Sequence, residues 1–184
     1  MAMAQGVKAM SWGKLKTKLV KLRSYYTGWK KLVLEVLLIV IVIVAVRTYQ
    51  QRDTLTGDAI PLNGQLVDQS QINWQDYKGK PLLLHFWATW CPICKIEEGS
   101  IQSISEDYNV LTVSSWSDDT EAYLKEKGLN FKTLVDSNGV WANRYGIKGV
   151  PASFIIDPNG KIEFIETGYS SEIGLRLRLW WIEL

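Results

Sequence analysis

The chain has 184 residues, 47% of them hydrophobic and 22% charged, with no repeats or low-complexity tracts. That is ample for one folded core plus an appendage, and it argues against a disordered chain. Two cysteines and one histidine leave too few ligands for the usual four-ligand zinc site, and the formal net charge of +2 hides a split: +8 over residues 1–31, and 13 basic against 19 acidic residues, or −6, over residues 32–184.

The basic tail, residues 1–31, carries Lys8, Lys14, Lys16, Lys18, Lys21, Arg23, Lys30 and Lys31 and no acidic residue. Such asymmetry points to an anionic surface, here a membrane, with no nucleic-acid partner expected. Trp12, Leu15, Leu19, Leu22 and Tyr26 recur at helical spacing, which suits an amphipathic helix on lipid headgroups; a solvated basic arm fits the same residues. Leu32 to Val46 is an apolar run broken only by Glu35. It is short for a bilayer core of about 30 Å unless Trp29 and Tyr49 extend it to the interfaces. With those flanks, residues 32–49 are expected to be an uncleaved transmembrane anchor. A buried helix of a soluble protein leaves the bracketing Lys30, Lys31 and Arg47 unexplained, and no small-x-small site follows for signal cleavage. Basic residues stay cytoplasmic, so the tail is expected inside and the rest outside; in a bacterium with two membranes the catalytic domain is then periplasmic. Residues 50–60 (QQRDTLTGDAI) read as a polar linker.

Residues 61–184 form the expected soluble domain. Gln65 to Val67 and Ile72 to Trp74 read as short edge elements, and Gly79-Lys80-Pro81 as a turn. Leu82 to Trp87 is a nearly continuous apolar run, the pattern of a central strand covered on both faces. A helix follows from Pro92 to about Asp107, then a strand at Val110 to Ser114. An Asp-capped helix from Asp118-Asp119 ends at Gly128, a third strand covers Phe131 to Val135, and a short helix covers Val140 to Tyr145. Ser153 to Ile156 and Lys161 to Ile165 flank Asp157-Pro158-Asn159-Gly160, a hairpin signal. Ser171 to Leu184 reads as a closing helix. Strands alternating with helices imply an α/β fold with a mostly parallel sheet.

The chemistry concentrates at Cys91-Pro92-Ile93-Cys94, where the strand gives way to the helix. Pro92 suits the first helical turn, and orphan N–H groups at a helix start favour a thiolate on Cys91. Cys91 is therefore expected to be an exposed nucleophile and Cys94, one turn deeper, the resolving thiol. A static disulfide or half of a zinc site are the bland alternatives. Trp90, just before the nucleophile, either shields it or simply packs. Glu97 lies one turn beyond Cys94 on the same face, as a functional carboxylate or a solvated helix acid. His85 on the central strand is chemically suited to take a proton from Cys94, although a lone strand histidine is commonly a hydrogen-bonded core residue.

FWATWCPIC at residues 86–94, Val150-Pro151 and the strand–turn–strand that follows resemble the thioredoxin superfamily. The Trp-Cys-x-x-Cys-x-x-Glu pattern of Trp90 to Glu97, Leu62-x-Gly64-x-x-Val67 and Tyr77-Lys78-Gly79-Lys80-Pro81 are similar to the membrane-anchored TlpA/ResA/DsbE branch, and most of all to its ScsD-like members, which are linked to copper tolerance. The resemblance covers roughly residues 60–170 and implies a thioredoxin-like fold, a central mixed sheet flanked by helices, behind one transmembrane helix. It implies a periplasmic thiol:disulfide oxidoreductase, leaning towards a reductant, with disulfide-bearing proteins as substrates and a DsbD- or ScsB-like membrane electron donor. It further implies a cis Pro151 beside the dithiol, a proton-handling Glu97 and no bound cofactor. The buried Asp that cytosolic thioredoxins carry six residues before the first cysteine is His85 here. Two alternatives stay open: a periplasmic Cu(I) chaperone using both sulfurs, and a peroxiredoxin-type peroxidase, which by resemblance wants Thr-x-x-Cys where Thr89 stands only two before Cys91.

Overall fold

A computed structural model describes residues 12–184 in two units that meet between Tyr49 and Gln50. The described residues of the first unit belong to a single α-helix, α1, which runs Trp12–Gln51 and so ends two residues into the second unit. The stretch expected as either helix or arm is therefore helical from Trp12 on; residues 1–11 of the basic tail lie outside the described residues. Side chains from Trp29 to Val46 are exposed throughout, including every large apolar one. Among the described residues no helix is long and apolar enough to cross a membrane. Leu32 to Val46 rises about 22 Å at helical pitch, short of a bilayer core, and Glu35 interrupts it.

The second unit is a six-stranded mixed sheet in the order β1-β6-β5-β2-β3-β4. Its strands are β1 Gly57–Asp58, β2 Leu82–Trp87, β3 Asn109–Ser115, β4 Thr133–Asp136, β5 Ala152–Ile156 and β6 Lys161–Thr167. The helices are α2 Pro92–Asp107, α3 Thr120–Lys127, α4 Val140–Arg144 and α5 Glu172–Glu183. Strands β2, β3 and β4 are parallel, as helix crossovers require, whereas β5 and β6 form the expected antiparallel hairpin and β5 pairs antiparallel with β2. The central mixed sheet flanked by helices is thus present, with β2 in its middle and wholly buried.

Alternation along β2 supplies two cores. Leu82, Leu84 and Phe86 join Leu111, Val113, Tyr145 and Phe154 on one face. There Phe86, Tyr145 and Phe154 pack as three mutually tilted or edge-on rings with centroids 5.1–5.8 Å apart. Leu83 and Trp87 face the other way, towards Cys91, Cys94, Ile101 and Ile104 of α2 and Leu175 and Leu179 of α5. The side chains of β2 that face α2 therefore lie beneath the dithiol helix.

Three expectations need correction. Residues 50–60 do not form a free tether. After Gln51 the chain packs onto the domain: Leu55 N–H donates to the Tyr145 carbonyl, Ala59 N–H to Gly160, and Gly57 and Asp58 pair with Ile162 and Lys161. Gly146, with φ +69°, is needed at this junction, because a Cβ there would lie 1.9 Å from the Asp53 carbonyl oxygen. The edge elements expected around Gln65 and Ile72 are only isolated bridges, Gln65 to Gln71 and Leu66 to Leu134, and Trp74–Tyr77 is a 3-10 turn. The third strand is displaced to Thr133–Asp136, since Asp136 pairs with Ser115 while its carboxylate accepts the N–H groups of Trp141 and Ala142 at the start of α4.

Candidate active site

The strand-to-helix turn after β2 places both sulfurs. Cys91 is the N-cap of α2, Pro92 occupies the first turn, and the Cys94 backbone N–H donates to Cys91 Sγ at 3.3 Å. A sulfur thus stands where an oxygen usually caps a helix, aimed at by an otherwise unpaired donor. Both cysteines are free thiols. Contrary to the expected exposed nucleophile, Cys91 is only 3% accessible. Its thiol lies 3.6 Å from the Val150 carbonyl oxygen, and the Val150-Pro151 bond is cis. The carbonyl that precedes the cis-proline thus lies against the Cys91 sulfur.

The loop before the nucleophile is fastened to the segment after β3. Trp90 Nε1 donates to the Trp116 carbonyl at 2.9 Å, Thr89 N–H to Ser117 Oγ, and Thr89 Oγ1 to Asp119 Oδ1 at 2.6 Å. Trp90 is itself exposed, so its polar edge is tied down while its ring stays at the surface beside Cys91. Asp119 does precede α3 as expected but makes no side-chain cap, because its carboxylate is turned to Thr89. Trp116 holds a left-handed backbone, φ +55°, and its indole lies against Gly139, where a Cβ would come within 2.0 Å of Nε1. Trp116 and Ser117 were not singled out from sequence, and Asp119 was read only as a helix cap. The run of polar residues after an apolar strand was the available signal.

Two titratable groups lie buried near the sulfurs. Glu97 is 1% exposed; one carboxylate oxygen accepts the Ser170 backbone N–H, and the other, like Ser170 Oγ, has no hydrogen-bond partner among the described residues. Burial pushes its carboxyl up to about 7, with the Ser170 N–H opposing. Burial likewise pushes the Cys94 thiol well above its usual range, followed by its hydrogen bond with Cys91 and, more weakly, by the charges of Cys91 and Glu97. His85 is buried on β2 with Nδ1 2.9 Å from Ser153 Oγ, and burial lowers its imidazole to about 4. At neutral pH it is therefore an uncharged, hydrogen-bonded core group and a poor base, whereas Glu97 titrates where a proton acceptor is effective. Of the residues singled out from sequence, Cys91, Cys94, Trp90, Pro151 and Glu97 come together around the turn. His85 lies on the strand beneath, and Ser170 is the neighbour that sequence gave no reason to choose.

Comparison with known proteins comes to the same region. Residues 56–165 match the family described as AhpC/TSA. The chain is 38% identical over 125 residues to the thiol-disulfide oxidoreductase ResA of Oceanobacillus iheyensis, covering 61% of this chain and 65% of that one. It is 35% identical over 95 residues to the thiol:disulfide interchange protein DsbE of Escherichia coli, covering 50% and 51%. The chain thus spans less than two thirds of the length of these curated relatives. Among solved structures it is similar to the exposed lipoprotein thioredoxin Etrx1 of Streptococcus pneumoniae, with TM-score 0.57, 29% identity, and coverage of 65% of this chain and 97% of that one. StoA of Bacillus subtilis matches with TM-score 0.54 and 28% identity over 65% and 97%. The fold is therefore thioredoxin-like.

Proposed function

The chain belongs to the AhpC/TSA family, and within that thioredoxin-like family we propose that it is a thiol:disulfide oxidoreductase of the ResA/DsbE type. One observation carries the reading: two free thiols at the mouth of α2, the Cys94 N–H on Cys91 Sγ, and a buried carboxyl one turn further along. Cys91, as thiolate, attacks one sulfur of a client disulfide; the other client sulfur leaves as a thiolate and a mixed disulfide forms. Cys94 then gives its proton to Glu97 and attacks Cys91 Sγ, releasing the second client thiolate and leaving the Cys91–Cys94 disulfide. Two electrons pass to the client, and an external dithiol must return them.

The relatives' names support this reading over the peroxidase one, and so does Thr89, whose hydroxyl is given to Asp119. Among the described residues no group of three or more His, Cys, Asp or Glu side chains could hold a metal, so a copper-holding reading rests on the two sulfurs alone.

Membrane attachment through α1 is part of the proposal. An exposed helical stretch from Leu32 to Val46 that is apolar all round except at Glu35 favours a non-aqueous surrounding, with Trp29, Lys30 and Lys31 at one end and Tyr49 at the other in interfacial positions. Its shortness requires those flanks or a thinned bilayer. Basic residues before it favour a cytoplasmic N-terminus and a periplasmic domain; the resemblance to the TlpA/ResA/DsbE branch adds a DsbD- or ScsB-like donor and net reduction of clients.

The test uses the full chain. The Cys94→Ala variant is expected to accumulate client mixed disulfides through Cys91, and Cys91→Ser to abolish disulfide exchange. Exchange that survives in Cys91→Ser overturns the proposal. Alkylation of intact cells by a membrane-impermeant maleimide tests the location on a cysteine introduced at the exposed Val140 of a Cys91→Ser/Cys94→Ser chain, with no labelling of that cysteine counting against a periplasmic domain.

A further inference from the structure

Glu97 and Ser170 meet in the interior with polar atoms to spare. The two residues are 1% and 9% exposed, and the Ser170 N–H donates to Glu97 Oε1, yet Glu97 Oε2 and Ser170 Oγ have no hydrogen-bond partner among the described residues. Buried polar atoms left unpaired are costly. Two of them on one pair of touching residues point to a bond that the pair makes between themselves. The backbone holds Ser170 in place without help from its hydroxyl. Strand β6 ends at Thr167; Gly168 N–H then donates to the Pro151 carbonyl at 2.9 Å, and Ser171 Oγ accepts the Gly174 N–H as the N-cap of α5. The Ser170 hydroxyl is therefore free to turn about its Cα–Cβ bond.

A serine that gives both its N–H and its O–H to one carboxylate occurs elsewhere in this domain. At Asp68, Ser70 N–H and Ser70 Oγ donate to Oδ1 at 2.9 and 2.6 Å, and they hold that carboxyl below its ordinary value, the hydroxyl first and the N–H second. Asp68 is exposed; at Glu97 burial opposes the charge, so the same donors count for more. The charged groups on the elements around Glu97 are engaged elsewhere. On α2, Lys95 and Glu98 turn to Tyr123, and Cys94 is the source of the proton. His85 and Glu166 share the sheet face beneath, through their common register with Ser153; His85 is uncharged at neutral pH, and Glu166 pairs with Arg178 of α5 at 2.6 Å. Glu172 and Arg176 of α5 bind each other and Ser103 and Asp107 of α2.

We infer that Ser170 is a positioning residue for the resolving step: its hydroxyl turns to donate to Glu97 Oε2 and favours the ionised carboxylate that receives the Cys94 proton. The inference rests on the exchange reading above and adds a second residue to its proton acceptor. The hydroxyl keeps its own proton. One proton moves, from Cys94 Sγ to Glu97, as the Cys94–Cys91 bond forms and the client thiolate leaves. Once Glu97 is protonated, the same hydroxyl oxygen accepts its O–H, so the pair stays satisfied on both sides of the step. Donation to the charged form is the stronger of the two bonds, and the net effect is to favour the carboxylate.

The experiment mixes the reduced full chain, in lipid nanodiscs, with an equimolar coloured aryl disulfide across the neutral pH range. Attack by Cys91 frees one aryl thiolate and resolution by Cys94 frees the second, so stopped-flow absorbance reads the two steps apart. Ser170→Ala should move the inflection of the second release up by about one pH unit. The second release is then about tenfold slower on the acid side of the inflection and unchanged on the alkaline side, while the first release is unaltered at every pH. Ser170→Thr should keep the profile of the unaltered chain, and Ser170→Val, the same shape without the hydroxyl, should reproduce Ser170→Ala. An inflection that stays in place in Ser170→Ala overturns the inference, as do Thr and Val variants that behave alike. Equal slowing at all pH values also overturns it, since that is what a purely structural role produces. Failure of the exchange reading shows separately, as a first release that survives Cys91→Ser.

Discussion

Side chains alternate along β2, and the two faces they supply are built for different ends. Phe86 enters a face of close-packed rings whose one hydroxyl, on Tyr145, is satisfied by the Ile60 carbonyl at 2.6 Å. His85, its neighbour in sequence, enters the opposite face, where α2 brings two thiols and Glu97, and where Glu97 Oε2 and Ser170 Oγ lack partners among the described residues. One face holds the sheet together. The other gives up some of that stability to keep titratable groups dry beside the sulfurs, as reactive sites commonly do.

The largest expected effect lies on the aromatic face. Phe86→Ala should cost about 3–5 kcal/mol of unfolding free energy in urea, because the cavity among Tyr145 and Phe154 collapses only in part. The rate at which Cys91 forms a mixed disulfide should change by less than about twofold in the molecules that remain folded. A large kinetic loss with little destabilisation would erase the distinction between the faces.

The next effect is electrostatic and belongs to the dithiol face. With the Glu97 carboxyl raised from its ordinary 4.5 to about 7, the folded chain keeps a proton that the unfolded chain has released between those pH values, so this group makes stability fall as pH rises. His85, lowered from 6.5 to about 4, does the opposite: the unfolded chain binds the extra proton, and stability falls as pH drops from 6.5 towards 4. From pH 4.5 to 6.5 the two slopes oppose, and their joint contribution in the unaltered chain should be nearly flat. Urea titrations across that window should show His85→Leu losing on the order of 2 kcal/mol with rising pH, and Glu97→Gln gaining a similar amount. Parallel, flat profiles in both variants would mean that neither group is held as dry as the structure places it.

A smaller effect is expected at the loop that carries Trp90. Asp119→Asn weakens a charge-assisted bond to Thr89 Oγ1 at the edge of the site and should cost about 1 kcal/mol. Mixed-disulfide formation should slow by roughly threefold as the Thr89-Trp90 segment loosens. Stopped-flow mixing with an aryl disulfide measures it, and an unchanged rate would reduce the network to fold support.

Much of the site was legible because its determinants are local. The apolar run from Leu82, Pro92 at the first turn and Asp157-Pro158-Asn159-Gly160 all act within a few residues, and the elements they predict are present: Leu82–Trp87, Pro92–Asp107 and the β5–β6 hairpin. The rest depends on partners distant in sequence. Ser170 reaches Glu97 across 73 positions, Ser153 reaches His85 across 68, and Ser117 holds Thr89 across 28. None of these serines has a local pattern that announces its partner. Residues 50–60 misled for a related reason: their composition is that of a linker, but they bind the domain through backbone atoms, which every residue type carries. The environment of His85 was also out of reach, since a histidine on a strand titrates according to what covers it.

Glu97 as the acceptor of the Cys94 proton is tested most directly by the rate at which a preformed Cys91 mixed disulfide is resolved, followed by quench-flow from pH 5 to 9. In the unaltered chain that rate should climb through an inflection near pH 7, where Glu97 loses its proton. In Glu97→Gln it should be about 100-fold slower with the inflection gone, while His85→Leu keeps both rate and inflection. Identical profiles for the unaltered chain and Glu97→Gln would contradict the mechanism and return the carboxyl to a purely structural part.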